Sequence, residues 1–374
     1  MLASSRVKPD DMYGDAIGPT LYEHVVEYAA LGDHRTGTAV DDVTRSWFRA
    51  LLADIGGRVE EVPYGFERYE VRAHTRTRDG AELHSLPVYY SGVGDAEAEQ
   101  PAVVELPMAG LFPLADLDEV ISDAPGEGPV VVIVDGPEGR LVAMNRAPVV
   151  RPGRLAVLAG GSERRAIEDG RCRVTGAARL VPGASGTVVG SLGDEADDPV
   201  VVTTPLTGWF ACAGERGTGI AIALDLARRL AARHPVVVVG TTGHELEFLG
   251  ARRYLVDQPI RPRAVVHLGA GMAAGDPGPD GEVALGQVRI AMTTAPDPEP
   301  LLATLASAGF GPGFDGPWPG EGELWRETGA PVLSMVGGFE RFHTPDDLPA
   351  AVTSAELLAR VSDAVGAAVD RLLD

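Results

Sequence analysis

Hydrophobic positions recur along the chain at two different periods, and the change from one to the other divides it into regions. In "LYEHVVEYAAL" Leu21, Val25, Tyr28 and Ala29 fall on one helical face, and in "VDDVTRSWFRALLADIG" Val43, Trp47, Leu51 and Leu52 do the same. The first 60 residues therefore predict helices, the second ended by Gly56 and Gly57, because glycine takes the left-handed turn of a helix terminus. From about residue 58 to 200 the pattern is that of short strands, "RYEVRAHTR", "PAVVEL", "PVVVIVDG", "RLAVLAG" and "GTVVGSL", punctuated by Gly, Pro and Asp. "SGVGDAEAEQP" predicts a polar loop at the edge of an inserted β-rich unit.

Beyond residue 200 strands alternate with helices. "DPVVVTTPL" and "HPVVVVGTT" are apolar on both faces, as central strands covered from two sides must be. Between them, "GTGIAIALDLARRLAARH" sets Ile220, Ala223, Ala227 and Leu230 at helical spacing. "PRAVVHLGAG" and "PVLSMVGG" read as two more strands, and Thr353 with Glu356 suggests a capping box opening the last helix. The fold expected is α/β, a three-layer sandwich around a mixed, mostly parallel sheet, with a small β-rich inserted subdomain. Residues 1–85 and 177–374 would form the main domain and 86–176 the insertion.

In open α/β sheets ligands sit beyond the carboxyl ends of the strands. That rule brings "TTPLTGWF", "TTGHELEF", "HLGAG" and "GGFERFHTPDD" around one crevice, with "ACAGERGTG" at the entry to a helix beside it. Glu215, Glu245 and His343 become a candidate cluster on this ground alone. The plainer readings are a Glu215–Arg216 pair, a salt-bridged Glu245 and a His343 held by Asp346 or Asp347. His267 reads as structural, one step of register from pointing inward.

Composition narrows the functions. A net charge of −22 disfavours nucleic acid and anionic membrane surfaces as partners. Two cysteines, Cys172 and Cys212, make neither a disulfide framework nor a spaced metal site. The opening "MLASSRVKPDDMYGD" lacks the basic and apolar regions of a secretory signal, so a cytoplasmic location is expected.

The motifs now resemble a known family, the co-catalytic di-zinc aminopeptidases of the bacterial leucyl-aminopeptidase type. That family also holds single-zinc glutaminyl cyclases and metal-free relatives such as the transferrin receptor ectodomain. "LYEHVVEYAALGDHRTGT", with its turn at Arg35, resembles the family's opening helix, and "RSWFRALLADIGGRVEEVPY" its next helix and strand. The insertion sits where many members carry a protease-associated domain, and "VTSAELLARVSDAVGAAVDRLL" resembles the closing helix.

Site residues carry over one at a time. Where the family has a strand ending His-x-Asp, "VVVTTPLTGW" places Pro205 and Thr207. Proline has no donor atom, and threonine is a poor zinc ligand. "ERGTG" puts Glu215 at the metal-bridging Asp, and "HELEFLGA" sets His244 at the general base and Glu245 at a zinc ligand. "VVHLGAG" leaves Gly269 at a lost Asp ligand, while "HTPDD" keeps His343 as the last ligand and Asp347 as its supporting carboxylate. Both ligands belonging to one metal alone are gone; Glu215, Glu245 and His343 remain for the other, similar to a glutaminyl cyclase. The resemblance thus implies at most one zinc ion, with no metal an equal alternative. His244 in place of glutamate points away from ordinary peptide hydrolysis.

In the substrate-side loop "GFGPGFDGPWPGEGELW", Glu321 falls where the family has an Asp, and Phe314, Trp318 and Trp325 could form an apolar wall. Trp209 and Phe210 are candidates for filling vacated metal space, and the expected pocket comprises Pro205, Thr207, Trp209, Gly269, Glu321 and Trp318. Three functions are expected, in this order. The first is a diverged enzyme acting on an amino-acid-derived small molecule by cyclisation or acyl transfer at an amine. The others are a non-catalytic pseudo-peptidase binding a ligand or a partner protein subunit, and a single-metal aminopeptidase.

Overall fold

The computed structural model describes residues 17–77, 80–110, 112–168, 172–193 and 198–374; the opening segment read above for a signal lies outside them. Four parallel strands form the middle of the main sheet in the order Val236–Thr241, Val200–Pro205, Ala264–Leu268, Val332–Gly338. Antiparallel strands flank them, Cys172–Leu192 on one side and Val288–Thr293 on the other. The doubly apolar runs are what this position requires. Val200, Val202, Val238 and Val266 face a core shared with helices Ile17–Ala30, Thr218–Ala231 and Ala355–Leu373. Val201, Val239 and Val265, one residue out of phase, pack on Tyr254 and Trp325 across the other face. The result is a three-layer α/β sandwich. Among the described residues no helix is long and apolar enough to cross a membrane.

Several expectations need correction. The short strands expected on either side of the insertion are two long ones, Arg58–Thr77 and Cys172–Leu192, paired antiparallel from Arg58 opposite Ser191 to Thr77 opposite Cys172. Glycine and proline inside them do not break the ladder, because both partners stay in register through Pro182, Gly183 and Gly186. Half of the expected polar loop, Gly94–Ala98, is a strand pairing with Cys172–Leu192. The second helix, Ala39–Asp54, buries Thr44, Phe48 and Leu52, whereas Val43 is 49% exposed. Phe48 takes the core position because Gly240 leaves room for its ring: a Cβ there would lie 2.5 Å from Phe48 Cε1. The last helix is capped one residue later than expected, by Ser354 accepting from Leu357 N, while Thr353 donates to Ala273 O.

Ser85–Pro87, at the boundary of the segment read as an insertion, forms a separate four-stranded sheet with Ala156–Gly160, Val130–Val134 and Ala102–Leu106 inside that segment. An irregular strap, residues 140–147, runs from this unit back over the main domain. There the Ala143 N–H donates to His343 O at 2.9 Å and the Arg146 N–H to Glu245 O at 2.9 Å. These contacts position the strap over the strand ends.

Candidate functional site

The strand Val200–Pro205 ends in a loop that turns back through Phe210 and Cys212, both at positive φ, into a single wide turn, Ala213–Gly217, before helix Thr218–Ala231 begins. Asp347 holds that turn in place: its carboxylate accepts the N–H groups of Gly214 (2.6 Å) and Glu215 (3.1 Å). Glu215 and Arg216 are thereby presented, fully buried, at the foot of the crevice. Arg216 Nη2 lies 2.5 Å from Glu215 Oε1, and its Nε donates to Thr207 O at 3.0 Å. His343 Nε2 reaches the same Oε1 at 3.1 Å, with Nδ1 against Ala143 O at 2.9 Å. The Cys212 thiol donates to Oε2 at 3.3 Å.

Burial disfavours the charge on Glu215, but Arg216 and His343 outweigh it and hold the carboxyl down at about 2. Arg216 is raised above its ordinary value despite burial, chiefly by Glu215. A charged ion pair therefore occupies this site.

Glu215 and His343 meet as expected, but the carboxylate of Glu245 does not join them. Glu245 accepts the Thr36 N–H at 2.6 Å and the Thr207 hydroxyl at 2.9 Å. Among the described residues the group of three ligand-bearing side chains within 4.8 Å of one another is Cys212, Glu215 and Asp347, not Glu215, Glu245 and His343. The alternative of a His343 held by Asp346 or Asp347 also gives way, to Glu215 and the strap.

The expected donor set, Glu215, Glu245 and His343, does not come together as a zinc site. Pro205 and Gly269 supply no ligand atom, Glu245 is satisfied elsewhere, and the oxygen shared by Glu215 and His343 already carries a guanidinium. An ion about 2 Å from Glu215 Oε1 would sit within about 4.5 Å of Arg216 Nη2, itself 2.5 Å from that oxygen, a repulsion on the order of 7 kcal/mol at an effective dielectric near 20.

The remaining expected residues separate into two groups. Thr207 is buried and bonded to Thr36, Glu245 and the Gly243 N–H. Pro205 is buried opposite Thr241. Glu321 accepts from Thr241 Oγ1 at 2.7 Å, and its Oε2 lies 3.5 Å from His244 Nδ1. Neither of those two facing atoms has a hydrogen-bond partner. Burial, aided by Arg216, pulls His244 well below its ordinary value; burial also pushes Glu321 up to about 7, against the Thr241 hydroxyl and Arg216. His267 is buried against Ser334 Oγ at 2.9 Å and held down at about 3 by burial and Arg216. Trp209 donates to Asn145 Oδ1 of the strap at 2.9 Å.

Trp318 does not belong to the site. It packs with the Tyr254–Trp325 cluster on the opposite face, under Arg326, while Phe314 is 55% exposed. Arg216 was legible only as a possible partner of Glu215, and the strap residues Ala143 and Arg146 carried no motif.

Gly269 shows why its lost ligand cannot simply be restored. A Cβ there would lie 2.8 Å from Met335 O and 3.0 Å from His267 Cε1. Gly269→Asp is expected to cost about 1–3 kcal/mol through overpacking, read as a lower urea midpoint, without creating a zinc site.

No family model and no curated protein matches the sequence. Solved structures do. A peptidase M28 precursor from Shewanella amazonensis superposes at a TM-score of 0.71, with 15% identity over 96% of this chain and 93% of that one. A zinc aminopeptidase from Bacillus subtilis gives 0.68, with 16% identity over 95% and 94%. The chain has the zinc-exopeptidase-like fold. The glutaminyl cyclase of Porphyromonas gingivalis is similar as well, at 0.50 with 13% identity over 95% and 98% of the two chains. At these identities the likeness concerns the fold, and the chemistry must come from the site.

Proposed function

We propose that this chain is a diverged, metal-independent protein of the aminopeptidase fold that acts on an amino-acid-derived small molecule and does not hydrolyse peptides through metal-bound water. The observation that carries this reading is the buried Arg216–Glu215 pair, in which a guanidinium supplies the positive charge at the foot of the crevice. Chemistry, as opposed to binding alone, is supported by His244 and Glu321. Glu321 Oε2 faces His244 Nδ1 at 3.5 Å with neither atom hydrogen-bonded elsewhere, and a carboxyl that keeps its proton up to about 7 can give one without a metal. Such a pair suits cyclisation or acyl transfer at an amine.

A second reading, a non-catalytic binding protein, is favoured by the strap. It leaves His343 8% and His244 7% exposed, so the strap must move before a substrate reaches them.

The test is a panel of aminoacyl p-nitroanilides and N-terminal glutaminyl substrates, assayed with chelator and with added zinc. No chromophore release is expected in either condition. Zinc-dependent release abolished by chelator would overturn the proposal. Cyclised or transferred product lost on Glu321→Gln supports the enzyme; product absent from every substrate supports the binding protein.

A further inference from the structure

A cavity of about 770 Å³ opens between the two long strands and the inserted unit, with Thr36 and Glu245 in its wall. Its size is that of a small-molecule site. Arg35, Arg68, Arg72, Arg146 and Arg179 line it, a concentration of positive charge in a chain of net charge −22. Three acidic residues also stand in the wall: Glu70, paired with Arg68 and Arg179, Glu245, bonded to Thr36 and Thr207, and Asp95; Arg35 pairs with Asp33.

Two of the arginines are incompletely satisfied. Arg68 donates from Nη1 to Gly37 O at 3.1 Å and from Nη2 to Glu70 at 2.5 Å, but its buried Nε has no partner. Arg146, its side chain only 9% exposed, pairs through Nη2 with Asp118 and donates to Arg151 O at 3.0 Å. Its buried Nε is likewise unpartnered. A buried donor without an acceptor costs about 1–3 kcal/mol; since both Nε atoms are sealed from the cavity, an anion there would offset that cost only through the charge of the two guanidinium groups.

The same wall carries an aromatic surface. Tyr89 lies 5.2 Å from Trp209 between ring centroids, and the Arg35 guanidinium sits 4.7 Å over the Tyr89 ring. Trp209 is fixed in turn by its bond to Asn145. A planar group could lie against rings already held in place, at little cost in ordering them.

We propose that this cavity binds a small molecule with a planar aromatic or acyl-amide body and one anionic head, a carboxylate or a phosphate, held by Arg68 and Arg146 with its body against Tyr89 and Trp209. The proposal goes beyond the reading of the buried site and stands on a different set of residues.

The test is calorimetric titration of the full chain in chelator, at low salt, with N-benzoylglycine, N-benzoylglycinamide and phenyl phosphate. At least one anion is expected to bind, with the neutral amide at least about tenfold weaker, and Arg68→Gln is expected to weaken the anion about tenfold. Tyr89→Leu, which leaves the arginines in place, should weaken all three probes, and thermal unfolding of both variants confirms that they fold. The tighter anion identifies the head group. If neither anion binds, if the amide binds as well as the acid, or if Arg68→Gln and Tyr89→Leu both leave affinity unchanged, the proposal is wrong. A failure of metal independence would appear separately, as zinc uptake in chelator-free protein.

Discussion

Replacing Arg216 by methionine is expected to remove about 3–5 kcal/mol of folding stability, the cost of leaving one member of a buried ion pair without the other. The side chain is fully buried, and its Nε bond to Thr207 O also fixes the loop leading into the site. Without it, Glu215 keeps only His343 and Cys212 as partners. The double variant Arg216→Met with Glu215→Gln should recover part of the loss, because no uncompensated carboxylate is then buried, and coupling within such networks is about 0.5–3 kcal/mol. Urea denaturation of the wild type, both single variants and the double closes the cycle. A single variant within about 1 kcal/mol of wild type would be well below the cost of an orphaned buried charge and would mean that the guanidinium does not hold the site together.

Glu321 should lower stability as pH rises from about 4.5 to about 7, against the buried histidines His34, His244 and His267, whose lowered values favour the fold as pH rises over the same range. The Glu321 carboxyl ordinarily loses its proton near 4.5, as in the unfolded chain, but burial in the folded protein moves that loss up to about 7. The folded state binds the proton more tightly, so the benefit is complete below 4.5 and is lost as pH rises through 7. At most this is about 3 kcal/mol. Asp347, pushed up to about 7 chiefly by burial although it accepts two backbone N–H groups, acts in the same direction. Glu321→Gln keeps a neutral group beside His244 and removes one of the two contributions. The urea midpoint at pH 5 minus that at pH 8 should therefore be smaller in the variant than in the wild type. An unchanged difference would show that Glu321 is ionised in the fold throughout this range.

The layers were legible because burial on two sides forces strands such as Val200–Pro205 and Val236–Thr241 to be apolar throughout. Local signals failed where tertiary contacts decided. Glycine and proline suggested breaks in the long antiparallel pair that pairing along its whole length overrides, and Phe48 displaced Val43 from the core because Gly240 leaves it space. At the site, sequence position indicated which residues come to the strand ends but not where their atoms turn. Glu245 is turned by Thr36, 209 residues away, and His343 by Ala143, 200 residues away. Neither Thr36 nor Ala143 belongs to a motif. Arg216 was the most readable of the site's other determinants, since it directly follows Glu215 in "ERGTG" and a pair between them was one of the readings.

The central claim is that a guanidinium, not a metal ion, supplies the positive charge at the foot of the crevice. Its most direct test is elemental analysis by mass spectrometry of protein purified without chelator and then equilibrated with one equivalent of zinc. The expected result is well under 0.1 zinc per chain retained after desalting, because Arg216 already occupies the Glu215 oxygen and Glu245 is bonded elsewhere. Zinc retained at one per chain and lost on Glu215→Ala or His343→Ala would contradict it.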